Sequence, residues 1–201
     1  MSKSFKMDQP PNPEKPVPPR LTEVAHAEVC RHLYAGAYTI DATAGNGHDT
    51  LFLARQTGQG GSVHSFDIQP EAIEATRLLL EQSGLSHLAT FHSCGHEKMK
   101  EALPPNLEVN TAAILFNLGY LPGGDKSITT KVSTTLDALH QSWKSYLSPR
   151  GILSILVYPG HAAGQQEAEA VQDWLARLKG AEVREYPSPG PVLYLVTKTC
   201  P

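Results

Sequence analysis

Asp41, Gly45, Gly47 and Asp49 lie close together in the run Asp41-Ala-Thr-Ala-Gly-Asn-Gly-His-Asp-Thr50. Two glycines let a backbone turn tightly and approach a ligand closely. The carboxylates on either side of them attract a cation or accept hydrogen bonds from hydroxyls. A third, Asp67, follows about twenty residues past the turn, the spacing of an acid that grips a ribose. A dinucleotide site prefers G-x-G-x-x-G, but the third glycine position here holds Thr50, and the spacing reads D-x-x-x-G-x-G. A tight turn with no ligand is the plain alternative.

The elements that must position these residues follow from periodicity. Leu21, Val24, Ala25, Val29 and Leu33 recur at helical spacing, with Thr22 able to cap the helix and Gly36 able to stop it. A first strand is expected over about 37–42, ending in the glycine turn, and then a helix to near Gly58. Strand 2 is expected at about 62–67, a helix from Pro70 to Ser83-Gly84, strand 3 at about 88–92 and a short helix near 96–103. Strand 4 is Ala112–Phe116. Val132, Leu136, Leu139, Trp143 and Leu147 mark one face of a long helix, and strand 5 is Gly151–Val157. Val171, Trp174, Leu175 and Leu178 mark a further helix. Two β-like runs, 182–186 and 192–198, close the chain and should pair as an antiparallel hairpin. Strands alternating with helices predict an α/β fold, Rossmann-like, with a mostly parallel seven-stranded sheet. Ligands then bind beyond the carboxyl ends of the strands. There the sequence offers Asp41 to Asp49, Asp67 with Gln69, Cys94 to Glu97, Asn117 to Lys126, and Tyr158 to His161.

Composition narrows the function. The chain has 201 residues, of which 40% are hydrophobic and 18% charged, enough for one α/β domain over 21–201. Residues 1–20 hold Pro10, Pro11, Pro13, Pro16, Pro18 and Pro19 and are expected to form a disordered arm, mildly basic through Lys3, Lys6, Lys15 and Arg20. No apolar stretch is long enough to span a bilayer, and no signal-like leader is visible. Cys30, Cys94 and Cys200 are far apart, which fits a reducing cytoplasm. The nine histidines lack metal-ligand spacing, so no metal site is expected. A net charge of −3 argues against broad nucleic-acid binding but allows a local basic patch.

The D-x-x-x-G-x-G turn resembles the first motif of class I S-adenosylmethionine (SAM) methyltransferases. SAM carries cationic sulfonium and amino groups that carboxylates hold, and a ribose that Asp67 can grip. Asn117-Leu-Gly-Tyr120 has the layout of the N/D-P-P-Y signature of amino-methylating enzymes. In that signature an Asn or Asp side chain and a following backbone carbonyl aim the amine lone pair at the methyl group, and an aromatic stacks on the base. Taken together, Asp41–Ala54, Phe116–Thr130 and Val157-Tyr-Pro-Gly-His161 resemble one bacterial family, once described as rRNA methylases. Its members act as tRNA 5-aminomethyl-2-thiouridine methyltransferases. The resemblance covers about residues 21–198. It implies the class I methyltransferase fold, SAM as cofactor, and the tRNA anticodon loop as partner. The reaction implied is N-methylation of the 5-aminomethyl group at wobble position 34. By the same carry-over, Asn46, Gly47, His48, Asp49, Asp67, Gln69 and His96 line the SAM pocket, and Asn117 and Tyr120 face the nucleoside; Asp41, by its charge, is expected to help hold the cationic groups of SAM. This chain has Cys94-Gly95-His96 where the family is expected to carry Asp-Ser-His.

The attacking amine must lose its proton before it has a lone pair to use. His161 and Asp125 are the candidate acceptors. RNA contact is expected through Arg20, Lys126, Lys131 and Arg150, and a homodimer would widen that surface. Action on rRNA, action on a small-molecule amine, and a non-catalytic SAM-binding module remain as alternatives.

Overall fold

The computed structural model describes residues 19–121, 123–125 and 127–199. Most of the proline-rich arm, together with Lys126 and Cys200, lies outside the described residues.

Seven strands form one sheet in the order β3-β2-β1-β4-β5-β7-β6. These are β1 (Tyr38–Asp41), β2 (Ser62–Phe66), β3 (Ala89–His92), β4 (Thr111–Leu118), β5 (Leu147–Val157), β6 (Ala181–Pro187) and β7 (Val192–Lys198). β1 to β5 pair in parallel, and β7 inserts antiparallel between β5 and β6. The expected hairpin therefore forms, and it supplies the sheet edge. The helices are α1 (Leu21–Cys30), α2 (His48–Thr57), α3 (Pro70–Gln82), α4 (Met99–Ala102), α5 (Val132–Gln141) and α6 (Ala162–Ala176).

Successive strand side chains point to opposite faces, so a continuous apolar run feeds two cores. In β4, Ile114, Phe116 and Leu118 enter one core with Met99, Leu139 and Trp174. Ala113 and Leu115 enter the other with Val29, Leu53 and Leu80. The first core is covered by α4, α5 and α6, and the second by α1, α2 and α3.

Several boundaries differ from expectation for identifiable reasons. α1 starts after Arg20 rather than at Thr22, because the Glu23 carboxylate accepts the Arg20 backbone N–H at 3.1 Å. It stops at Cys30, and Gly36 (φ 87°) shapes the turn beyond, donating to the Thr57 carbonyl. β4 runs two residues past Phe116 because Asn117 and Leu118 still pair with Leu156 and Val157 of β5. The helix after Lys131 loosens into a π turn at Ser142–Tyr146, and β5 starts at Leu147, across from Thr111. Among the described residues no helix is long and apolar enough to cross a membrane. Nor does any group of three or more His, Cys, Asp or Glu there suit a metal ion.

Two local features carry predictions. Val109, in the turn before β4, is exposed and holds φ 53°. That left-handed conformation crowds a β-branched side chain. Val109→Asn is expected to raise unfolding free energy by about 1 kcal/mol, read as a higher urea midpoint.

His64 on β2 and His92 on β3 share a hydrogen bond of 3.0 Å (Nδ1 to Nε2), and His92 also stacks on Phe66. Burial, and then the neighbouring His92, push the His64 pKa from 6.5 down to about 4. The unfolded chain therefore takes up this proton first, and the His64 contribution is whole above pH 6.5 and is lost as pH falls toward 4. Asp41 titrates in the opposite sense over part of this range, so the clean readout is a difference. The stability advantage of the wild type over His64→Asn is expected to shrink between pH 7 and pH 5.

Candidate active site

A cavity of about 1070 Å³ opens over the carboxyl ends of β1, β2, β4 and β5. Of the residues expected at a ligand, Asn46, His48, Asp49, Asp67, Gln69, His96, Asn117 and Tyr120 line it. Asp41 and Gly47 do not. Asp41 is fully buried beneath the glycine turn, accepting from Thr50 Oγ1 at 2.6 Å and from the Thr43 backbone N–H at 3.2 Å. Burial foremost, and then the Asp49 charge, raise its pKa to about 7. It supports the turn from beneath and does not line the cavity. Gly47 (φ 82°) precedes α2, and a Cβ there would lie 2.8 Å from the Thr76 Cα. The close approach of α3 is what requires glycine at this position.

Asp67 is held rigidly. Its Oδ2 accepts from the Gly45 N–H at 3.0 Å and its Oδ1 from the Gln69 N–H at 2.9 Å. These backbone bonds leave the remaining lone pairs of the carboxylate for hydroxyls in the cavity.

Asn117, near the end of β4, is tied to the glycine turn twice. Its backbone N–H donates to Thr43 Oγ1 at 2.7 Å, and its Nδ2 donates to Asp49 Oδ2 at 2.7 Å. The other Asp49 oxygen meets His26 Nε2 at 2.6 Å. Burial alone would raise the Asp49 pKa, but hydrogen bonds from His26 and Asn117 outweigh it and hold the group below the ordinary value. An ionised carboxylate only accepts, so the Asn117 NH2 must face Asp49 and the carbonyl Oδ1 must face away.

Beyond Asn117 the chain loops out and back. Tyr120 bridges to Thr129, and Gly119 and Thr130 exchange hydrogen bonds. Thr130 Oγ1 and Thr135 Oγ1 both donate to the buried Glu167 of α6 at 2.6 Å. Tyr120 lies beside His161, ring centroids 5.8 Å apart, and Tyr158 completes this wall of the cavity.

Two buried ring nitrogens in the cavity have no hydrogen-bond partner among the described residues, His96 Nε2 and His161 Nε2. Their tautomers are fixed from behind. His96 Nδ1 faces the Ala42 carbonyl at 3.1 Å and must donate to it, which makes Nε2 an acceptor. Burial first of all lowers the His96 pKa and keeps the ring neutral. His161 Nδ1 accepts from the Gly164 N–H at 3.1 Å, so a neutral ring carries its proton on Nε2. His161 thus offers the cavity a donor, contrary to its expected use as a proton acceptor. Asp125 lies outside the cavity lining, and its carboxylate accepts from the Ser127 N–H at 2.8 Å and is held below its usual range. Of the expected basic patch, Lys131 lines the cavity and Arg20 precedes Thr22, which also does. Arg150 belongs to the early part of β5, at the far end of the sheet.

Sequence reasoning missed His26 and Glu167. Glu167 had a usable signal, because it falls on the same helical face as Val171, Trp174 and Leu175, where a charge is out of place. His26 had none, since its partner lies 23 residues away.

Residues 63–186 match the family described as "Putative rRNA methylase". The chain is 44% identical over 162 residues to the chloroplastic tRNA (mnm(5)s(2)U34)-methyltransferase of Arabidopsis thaliana. That alignment takes in 76% of this chain and 58% of the relative, so the chain spans little more than half of that curated protein. A "putative rRNA-methylase" from Clostridium thermocellum superposes with a TM-score of 0.84 at 32% identity, covering 90% of this chain and 99% of that one. SMU.1697c of Streptococcus mutans, a "putative methyltransferase" solved in complex with SAH, gives 0.78 at 30% identity, covering 90% and 99%. With the glycine turn, the β4 loop and the terminal hairpin all in their places, the chain belongs to this rRNA-methylase family and has the fold of the class I SAM-dependent methyltransferases.

Proposed function

We propose that this protein is a SAM-dependent methyltransferase that modifies tRNA. Its acceptor is the primary amine of 5-aminomethyl-2-thiouridine at position 34, and its product is the 5-methylaminomethyl nucleoside. The observation that carries this reading is the orientation of Asn117. Its NH2 is committed to Asp49, so its carbonyl oxygen is left as an acceptor at the cavity. A neutral primary amine is a matching donor. An N–H held by Asn117 Oδ1 directs the nitrogen lone pair elsewhere, and orientation of this kind is a large part of what an enzyme supplies. The name of the Arabidopsis relative supports the tRNA nucleoside as substrate.

The residues present suit SAM. Asp67 is placed for ribose hydroxyls, the Asp49 charge for a cationic group, and the unpartnered His96 Nε2 for an N–H donor. Asn46, His48 and Gln69 line the same cavity. Bound SAM supplies an electrophilic methyl group. Tyr120 and Tyr158, both well exposed at the mouth, offer flat faces for a base.

The test is methyl transfer from labelled SAM to tRNA carrying 5-aminomethyl-2-thiouridine, with nucleoside mass spectrometry and an Asn117→Ala control. Conversion that collapses in the variant establishes the reaction. SAM binding without conversion of this tRNA overturns the substrate, and the same assay on rRNA and on small amines finds the replacement. Dependence on salt separates RNA from a small amine, because phosphate contacts weaken steeply as salt rises.

A further inference from the structure

The Asn117 amide could present either of two faces to the cavity. Rotation by 180° about its last side-chain bond exchanges carbonyl and NH2 in nearly the same volume. The two faces have opposite effects on an amine. The carbonyl holds an N–H and leaves the lone pair available. The NH2 donates into the lone pair and blocks the attack. Something must therefore settle which face is shown. The main chain cannot, although Thr43 fixes it through the Asn117 N–H.

We propose that His26 and Asp49 form a positioning pair that turns the Asn117 carbonyl toward the acceptor. The inference rests on the function proposed above. Asp49 divides its two oxygens, one on Asn117 Nδ2 at 2.7 Å and one on His26 Nε2 at 2.6 Å. With the amide flipped, a carbonyl oxygen would face a carboxylate oxygen at the same short range, so the charge selects one face. His26 keeps Asp49 aimed. Its ring lies flat on Phe52 of α2, centroids 3.8 Å apart and planes 2° off parallel, so the imidazole is itself fixed by packing. Because His26 stands on α1 and does not line the cavity, it acts on the reaction only through Asp49 and Asn117. A bond that merely fastened α1 to α2 would not need to end on the carboxylate that also holds Asn117.

Steady-state kinetics on His26→Leu, His26→Gln, Asn117→Ala and the His26→Leu/Asn117→Ala double variant test the chain. His26→Leu is expected to lower kcat at saturating SAM about tenfold, with KM for tRNA changed less than about twofold. His26→Gln keeps an N–H within reach of Asp49 and is expected to recover most of that loss. On the Asn117→Ala background, His26→Leu should cost nothing further, because the residue it positions is gone. A loss of equal size on both backgrounds, or one that appears only in thermal stability, overturns the proposal.

A readout independent of turnover separates this inference from the choice of substrate. In ¹⁵N-labelled protein, the side-chain NH2 pair of Asn117 is identified by its absence from Asn117→Ala. Its hydrogen exchange should be slow in the wild type and at least about tenfold faster in His26→Leu. Free-amide exchange in the wild type refutes the chain whatever the activity. Protected exchange without methyl transfer to the tRNA upholds the chain and refutes the substrate.

Discussion

Asn117→Ala is expected to lower kcat for methyl transfer by about 10²- to 10³-fold, the usual cost of removing one preorganised polar group at a reacting centre. SAM affinity should stay within about twofold. The variant keeps the loop, because Gly119 and Thr130 close it through their own hydrogen bonds. It keeps the Asn117-position backbone bond to Thr43, which needs no side chain. What disappears is the acceptor proposed to orient the amine, together with the partner of one Asp49 oxygen. Asn117→Asp should do no better near neutral pH. It would set a second carboxylate against Asp49 at hydrogen-bond range, where two like charges cannot both ionise cheaply. Single-turnover assays at saturating SAM, together with SAM titration calorimetry, measure the two quantities separately. A variant that loses SAM binding in proportion to turnover would show that Asn117 serves the cofactor instead.

Glu167→Ala is expected to cost about 2–4 kcal/mol of unfolding free energy, because it strands hydrogen-bonding groups in a buried site. Glu167 is 3% exposed and accepts from two threonines. Thr135 is wholly buried, so its hydroxyl loses its partner with no solvent to replace it. Thr130 Oγ1 links Glu167 to the Gly119 N–H, and its loss frees the base of the loop that carries Tyr120. A raised KM for the acceptor should therefore accompany the lost stability. Glu167→Gln should fall between the two, since its NH2 cannot accept and one threonine hydroxyl must accept from it instead of donating to a charged oxygen. Urea denaturation and initial-rate kinetics on the three proteins suffice. An alanine variant with an unchanged midpoint would mean that the buried network contributes nothing.

The sheet was legible because each strand advertises itself. β4 and β5 are apolar on both faces, glycines punctuate the turns, and the missing helix before β7 forces the hairpin. The ends of elements were harder. Asn117 reads as the first loop residue because it is polar, yet pairing with Leu156 keeps it in the strand and fixes its direction. Pro149 and Arg150 hide the early part of β5 for the same reason. Within the site, residue type and spacing indicated Asp67, Asn117 and Tyr120 as cavity residues. They could not indicate that Asp41 turns inward, because a carboxylate at a strand end looks the same whether a threonine or a ligand meets it. Partnerships formed across the sequence, such as His26 with Asp49 or Thr130 with Glu167, leave no local periodicity to read.

The match to the family described as "Putative rRNA methylase" begins at residue 63, after α1, β1 and the glycine turn. His26, Thr43 and Asp49 all precede it, while Asn117, which they hold, lies inside. The residues that hold Asn117 are thus contributed from a part of the chain distant from it in sequence, and they can vary while Asn117 stays. Homologues that share 63–186 but carry other residue types at positions 26 and 49 are expected to keep the fold and the cofactor cavity and to have lost or changed the acceptor. Residues 26, 43 and 49 are where a lineage that has changed its chemistry should show it first.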